Sequence, residues 1–195
     1  AGRGAEGGSG LPRPLCRELK GSGFVDIRQE TPADYEAVYQ LVREAFASAE
    51  LSDGREQDLA AALRNSPAFI PELSLVAVED GNIVGHILFT EVRVGTETAL
   101  ALAPLSVLPS RQRRGIGLAL MEAGHDAARR LGYGYSIVLG HPGYYPKAGY
   151  VPAGVYGIRP PFDVPGEAFM ALRLDSGAPR LDGTVLYDSA FGIEA

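Results

Sequence analysis

The chain contains little cysteine, little histidine and no long apolar run. Its 195 residues include a single cysteine, Cys16, which cannot form an intrachain disulfide, and so few thiols argue against a structural zinc site. Such cysteine usage suits a reducing cytoplasm, where we expect the protein to reside. The three histidines, His86, His125 and His141, show no paired metal-ligand spacing, so we expect no metal. No apolar run approaches the roughly 20 residues of a membrane span, so we expect no membrane partner.

Positive charge is also scarce. The 18 lysines and arginines are outnumbered by 24 aspartates and glutamates, for a net charge of −6. We therefore expect no nucleic-acid partner, because binding to a phosphate backbone needs a basic surface. A net negative charge attracts cationic small molecules at long range, although it also serves solubility alone.

Length and composition predict one domain with one core, because 46% of the residues are hydrophobic. Residues 1–23 hold seven of the 25 glycines and are expected to form a flexible leader. We expect residues 24–175 to form the domain. Residues 176–195 are expected to be a C-terminal extension that packs on the domain or on a partner in a homodimer, because the segment 183–191 has apolar residues that need cover.

Hydrophobic periodicity places the secondary structure. Thr31 is the expected cap of a first helix, with Pro32 and Asp34 in its first turn. The pattern predicts further helices at residues 57–64 and 115–131. It predicts strands at residues 24–28, 73–79, 83–94, 99–107, 136–139 and 168–174, of which the second, third and fourth form an antiparallel meander.

Residues 105–121 carry the most functional information: an apolar strand, a basic turn and a helix follow one another. A helix start exposes N–H groups without intrahelical partners and the positive end of the helix dipole, so it favours a phosphate. Gly115 and Gly117 let the backbone approach an anion closely. The adjacent Arg111, Arg113 and Arg114 form either a pyrophosphate clamp or a solvated basic turn.

Two well-known phosphate motifs do not match this segment. A dinucleotide-binding fingerprint needs a third glycine or alanine where the chain has Leu120, and no acidic residue follows about 20 positions later. A P-loop needs Gly-Lys-Ser or Gly-Lys-Thr, which the chain lacks.

The pattern that remains, Gln-Arg-Arg-Gly-Ile-Gly at residues 112–117, resembles the acyl-CoA-binding signature Gln/Arg-x-x-Gly-x-Gly/Ala of the GNAT superfamily of N-acyltransferases. A second GNAT signature, Tyr-x-x-x-Gly-Phe/Tyr, is matched from Tyr145 to Tyr150, in the expected order. The resemblance extends from about Val25 to Leu174 and is closest to a bacterial single-domain branch of mostly unassigned substrate. The chain departs from those relatives at Ala148, where an aromatic residue is common, and at Tyr150, where Phe is more usual.

The resemblance implies an α/β (α+β) fold. We expect a mixed, mostly antiparallel central sheet of about seven strands, with flanking helices. The crossover helix makes the strands that end near Val107 and Leu139 parallel neighbours. In the family such a pair splays apart where the cofactor enters.

The implied activity is an acetyl-CoA-dependent N-acetyltransferase in which a primary amine attacks the thioester directly. Acetyl-CoA is the expected cosubstrate and a small amine is the expected partner, with a cationic amine favoured by the net charge. The resemblance implies cofactor contacts at Leu105, Ser106, Val107, Gln112, Arg113, Arg114, Gly115, Ile116, Gly117, Leu118 and Tyr145.

Tyr145 matches the tyrosine that the family places near the thioester sulfur as general acid. A phenol with a reference pKa near 10 is protonated at neutral pH and can donate to a thiolate; alternatively, Tyr145 only packs against the cofactor. Glu91 and Glu72 are equal candidates for a general base, His86 and His141 are rivals, and an amine that arrives deprotonated needs none.

Two other functions stay open at this level. The chain could be a catalytically inactive module that senses CoA or acetyl-CoA, or a protein acetyltransferase that modifies lysine side chains or N-termini. Asp163 and Glu167, in a proline-rich loop, could receive a cationic acceptor, or they could simply be solvated loop residues.

Overall fold

The computed structural model describes residues 15–19, 23–47 and 53–193. No helix in these ranges is long and apolar enough to cross a membrane. The α-helices are α1 (Tyr35–Phe46), α2 (Glu56–Arg64) and α3 (Ile116–Arg130). The strands are β1 (Leu15–Leu19), β2 (Gly23–Gln29), β3 (Phe69–Glu79), β4 (Asn82–Val94), β5 (Glu97–Val107), β6 (Tyr135–Leu139), β7 (Val151–Pro152), β8 (Ile158–Arg159), β9 (Phe169–Arg173) and β10 (Gly183–Leu186).

One mixed sheet organises the chain. Its strand order is β1-β2-β3-β4-β5-β6-β9-β7, with β10 paired to β4 and β8 paired to β10. The pairs are antiparallel except β5–β6 and the short β8–β10. The predicted mixed, mostly antiparallel sheet is therefore confirmed. It has more strands than the expected seven because four short or terminal strands, β1, β7, β8 and β10, join it through main-chain hydrogen bonds that side-chain periodicity does not reveal.

The helices cover both faces of this sheet. Alternate residues of a strand point to opposite faces, and neighbouring residues of β3 show the division. Leu75 belongs to a core shared with Leu120 of α3, whereas Val76 packs against Val38 and Val42 of α1. Helix α3 therefore lies on one face and α1 on the other.

The structure departs from the expectations at the N-terminal end. Strand β1 lies inside residues 1–23, which we expected to be a flexible leader, and it pairs with β2 from Leu15 to Leu19. For those five residues, and for Gly23 at the start of β2, the expectation of a flexible leader is corrected; the other residues of that segment lie outside the described ranges.

At the C-terminal end, the chain covers its own apolar segment. Strand β10 pairs with β4, and Val185 is fully buried. Tyr187 stacks on Phe162 and contacts Phe191, with ring centroids 6.3 and 4.8 Å apart. These contacts supply within one chain the cover for which we considered a homodimer.

A buried ion pair joins the sheet to α2. Both Glu30, at the end of β2, and Arg64 have nearly inaccessible side chains, and Arg64 makes two hydrogen bonds to the carboxylate, of 2.6 and 3.1 Å. Ser74 of β3 also donates to Glu30, and His86 of β4 lies 3.2 Å from the Ser74 hydroxyl. Burial alone would raise the pKa of Glu30, but the contacts with His86, Arg64 and Ser74 outweigh it and lower the pKa to about 2.

We expect Arg64→Leu to lower the free energy of unfolding by about 3–5 kcal/mol, because it leaves the Glu30 carboxylate buried without its cation. Urea unfolding measures this change. Arg159→Ala is the matched control, since it breaks an ion pair with Asp182 whose side chains are 58% and 83% exposed. The control should cost at most about 1 kcal/mol. Equal losses in the two variants would contradict a structural role for the buried pair.

Candidate functional site

The start of α3 presents a run of main-chain N–H groups without protein acceptors. The first N–H of this region that donates to a carbonyl is that of Ala119, at 3.0 Å from the oxygen of Gly115. In the described part of the chain, none of the N–H groups of residues 113–118 donates a hydrogen bond to protein. Six adjacent donors at the positive end of a helix dipole form a site for an anion.

The turn before α3 contains two residues with an unusual backbone conformation. Arg113 and Gly115 both have left-handed backbone conformations, with φ of 61° and 94°. The side-chain amide of Gln112 donates to the carbonyl of Val107 at 3.1 Å and ties the turn to the end of β5. A left-handed residue other than glycine is strained. The strain at Arg113 is consistent with a turn shaped for binding.

The three arginines of this turn have different partners, which the sequence alone left open. Arg111 and Arg114 both pair with Glu79 of β3, at 2.6 and 2.8 Å. Arg113 is exposed and makes no ion pair within the described ranges. Sequence reasoning missed Glu79 because it lies more than 30 positions from its partners. Arg113 is therefore the arginine of this turn whose charge is unpaired within the described ranges.

Next to this turn, the two parallel strands separate. Strands β5 and β6 pair only at Leu100 with Ser136 and at Ala101 with Ile137. Beyond these pairs β5 continues to Val107, with a register irregularity against β4 between Ile87 and Phe89. The main-chain groups of residues 102–107 that face away from β4 consequently have no ladder partner in β6. The parallel pair is confirmed, and its short register shows the expected splay.

Two tyrosines line the open end of the splay. Tyr145 packs against Gly140 just after β6, where any Cβ would overlap its ring. Tyr144 places its hydroxyl against Gly117, so a side chain at that position would also overlap. The two tyrosine rings meet edge to face, with centroids 5.3 Å apart. Burial raises the pKa of Tyr145, as does the neighbouring Tyr144, so the phenol stays protonated at neutral pH.

The candidate bases lie apart from the anion site. Glu91 accepts a hydrogen bond from Tyr133, just beyond the C-terminal end of α3, and the exposed Glu72 acts electrostatically on the same phenol. Helix α3 has 15 residues, so its two ends are separated by about 20 Å. Glu91 pairs across the ladder with Leu100, where β5 and β6 are still joined. The structure thus places the two carboxylates together at the closed base of the splay.

The two histidines considered as alternative general bases, His86 and His141, occupy different environments. His86 is fully buried beside Ser74 and the ion pair of Glu30, on the face of the sheet opposite Glu91. His141 is exposed, and its Nδ1 accepts a hydrogen bond from the main chain of Gly143. Among the described residues, no group of three His, Cys, Asp or Glu side chains converges as a metal site would require.

This fold and this site define an N-acyltransferase of the GNAT type: a mixed sheet with one splayed parallel pair, and an anion-binding helix start beside the opening. Comparison with known proteins supports that class. A sequence model of the acetyltransferase (GNAT) family matches residues 35–149. The chain therefore belongs to the acetyltransferase (GNAT) family.

Two proteins of related sequence come from Escherichia coli. The chain is 30% identical to YhbS, described as an uncharacterized N-acetyltransferase, over 169 residues that cover 85% of this chain and 97% of YhbS. It is 39% identical to YjhQ, another uncharacterized N-acetyltransferase of E. coli K12, over 118 residues. That match covers 58% of this chain and 65% of YjhQ.

Two solved structures have the same fold and hold a cofactor. A GNAT family acetyltransferase from Brucella melitensis, in complex with acetyl-CoA, superimposes with a TM-score of 0.70 and 33% identity, covering 86% of this chain and 97% of the other. YhbS from E. coli, in complex with CoA, superimposes with a TM-score of 0.76 and 26% identity over 98% of each chain.

Two buried histidines make stability depend on pH. Burial lowers the pKa of His125 to about 4 and also lowers that of His86, whereas an exposed histidine titrates near 6.5. Below about pH 6.5 the unfolded chain binds protons that the folded protein excludes, so the free energy of unfolding decreases as the pH falls.

We expect that decrease to reach at most about 1.4 kcal/mol per pH unit for each histidine between pH 7 and pH 5. This window lies above the range in which Glu30, with its pKa of about 2, contributes. His125→Gln should reduce the slope, measured by urea unfolding at several pH values, and His141→Gln, at an exposed position, should not. An unchanged slope in the His125 variant would show that its imidazole is not kept neutral by burial.

Proposed function

We propose that the protein is an acetyl-CoA-dependent N-acetyltransferase that moves the acetyl group from the thioester to a primary amine by direct attack. The observation that carries this proposal is the run of unpaired N–H groups at residues 113–118, beside the splayed strands β5 and β6. The acetyl-CoA and CoA complexes of the two structural relatives support it. Because the chain has a single cysteine, a reducing cytoplasm is the compartment we propose.

Acetyl-CoA is the cosubstrate, and its parts match the unpaired groups of the site. Its pyrophosphate would receive hydrogen bonds from the N–H groups of residues 113–118 and the charge of Arg113. Its pantetheine arm would bond in the splay to those main-chain groups of Leu105, Ser106 and Val107 that face away from β4. Most of these contacts come from main chain, so they depend on backbone geometry more than on side-chain identity.

In the reaction, a neutral amine attacks the thioester carbonyl and the C–S bond breaks. The leaving thiolate takes a proton from Tyr145, whose pKa burial keeps raised. After attack, the nitrogen loses one proton. Either Glu91 or Glu72 could accept it, with the Tyr145 phenolate then reprotonated from water, or, where no dedicated base acts, the proton returns to the Tyr145 phenolate and restores the phenol. Of the two we favour Glu91, because it is half-buried and accepts a hydrogen bond from Tyr133, whereas Glu72 is exposed.

The acceptor we propose is a small amine, and the net charge of −6 favours a cationic one. The test is a screen for release of free CoA thiol with a panel of small amines and lysine-containing peptides. Transfer to small amines supports the proposal, and transfer to peptides alone would instead indicate a protein acetyltransferase. Tight acetyl-CoA binding without any transfer would indicate a sensor of CoA or acetyl-CoA and would overturn the proposal.

Arg113→Ala should weaken CoA binding about tenfold, because a charged hydrogen bond to phosphate is lost. Calorimetric titration with CoA measures the change. Arg130→Ala, which removes an exposed charge at the opposite end of α3, is the matched control and should change the dissociation constant less than about twofold. Equal effects of the two variants would mean that the α3 start does not hold the phosphates.

Tyr145→Phe should reduce kcat at least about tenfold while the dissociation constant for acetyl-CoA barely changes, because the ring remains and only the proton donor is lost. Steady-state rates with an accepted amine, together with calorimetry, separate the two quantities. An unchanged kcat would remove the general-acid role and leave Tyr145 as a packing residue.

A further inference from the structure

The hydroxyl of Tyr150 is held at the centre of the domain by two other side chains. Tyr150 is 1% exposed, yet its oxygen lies 2.9 Å from Nε2 of His125 and 2.7 Å from Oγ of Ser136. His125 lies in α3 and Ser136 in β6, so the three groups join the helix, the sheet and the segment after residue 149. The more usual Phe at this position could make neither bond.

The three side chains of this group are uncharged at neutral pH. Burial, together with the nearby Arg129, lowers the pKa of His125 to about 4, so the imidazole is neutral. Burial also raises the pKa of Tyr150, which stays protonated. Two hydroxyls and a neutral imidazole can donate in sequence in either direction around Tyr150. The bonds are buried, so their geometry is tightly constrained.

Tyr150 in turn supports Tyr145. The two rings pack edge to face with centroids 5.7 Å apart, at an interplanar angle of 75°, and the N–H of Tyr150 donates to the carbonyl of Tyr145 at 3.4 Å. Gly140 closes another side of the Tyr145 ring. Ser136 is itself the residue of β6 that pairs with Leu100 at the base of the splay.

We propose that Tyr150, anchored by His125 and Ser136, is a positioning residue that holds the phenol of Tyr145 in the splay at the reacting thioester. This inference rests on the proposed function, in which Tyr145 donates a proton. Tyr150 is buried beneath Tyr145 and acts through the Tyr145 ring.

The test is a double-mutant cycle on kcat. Tyr150→Phe should lower kcat about three- to tenfold with the KM for acetyl-CoA changed less than twofold. In the Tyr145→Phe background, where no proton donor is left to position, Tyr150→Phe should have no further effect on kcat. Ser136→Ala should reproduce part of the loss, since the His125 bond remains. Tyr156→Phe is the control. Its ring packs against a separate group of core residues that includes Ile158 and Phe169, so loss of its hydroxyl should leave kcat unchanged.

The outcomes separate this inference from the proposed function. The same loss from Tyr150→Phe in both backgrounds, or no loss in either, would overturn the positioning role. If the protein transfers acetyl to no amine, the proposed function fails. The positioning of the Tyr145 ring is then tested by itself, from its ring-flip rate in NMR spectra of protein with labelled tyrosine. There, Tyr150→Phe should speed the ring flips of Tyr145, whereas Tyr156→Phe should not. Unchanged flip rates would overturn the inference.

Discussion

The site depends on one physical constraint: a helix cannot satisfy its own first N–H groups. Helix α3 begins directly after a tight turn, and within the described ranges the six adjacent N–H groups of residues 113–118 have no protein acceptor. The same helix is the crossover that makes β5 and β6 parallel, which is why the donors lie beside the point where those strands separate. The unpaired N–H groups and the opening between the two strands are therefore consequences of one connection.

Charge around this turn is arranged by long-range pairs. Glu79 pairs with Arg111 and Arg114, whereas Arg113 makes no ion pair within the described ranges. Pairing two of the three arginines limits repulsion among them when no ligand is bound. On the other face of the sheet, the buried pair of Glu30 and Arg64 fixes α2 to the strands. The two carboxylates thus link elements distant in sequence: Glu79 links β3 to the turn before α3, and Glu30 links the end of β2 to α2.

Local patterns predicted the regular elements well. The capping residues Thr31 and Asp34 mark the start of α1, where Asp34 accepts hydrogen bonds from the Thr31 main chain and hydroxyl at 2.8 Å. The turn after β3 and the glycine before α3 also lie where the sequence places them. Leu131, the last residue of the helix expected at 115–131, instead lies just beyond α3, which ends at Arg130, and is 46% exposed. Strand β1 escaped prediction because it lies in a glycine-rich segment whose composition indicated a flexible leader, and β10 because its four residues are too few for a clear alternation.

The sequence by itself determined the class of fold, the helix start with its unpaired N–H groups and the tyrosine beside the splay, because each follows from residues adjacent along the chain. Spacing within a turn sets which N–H groups are free, and alternation along a strand sets which face is buried. Only the tertiary structure decided which arginine is free, that Glu91 bonds to Tyr133, and that His125 and Ser136 meet at Tyr150. Those contacts join residues distant in sequence, so they exist only once the sheet has brought separate strands and helices together.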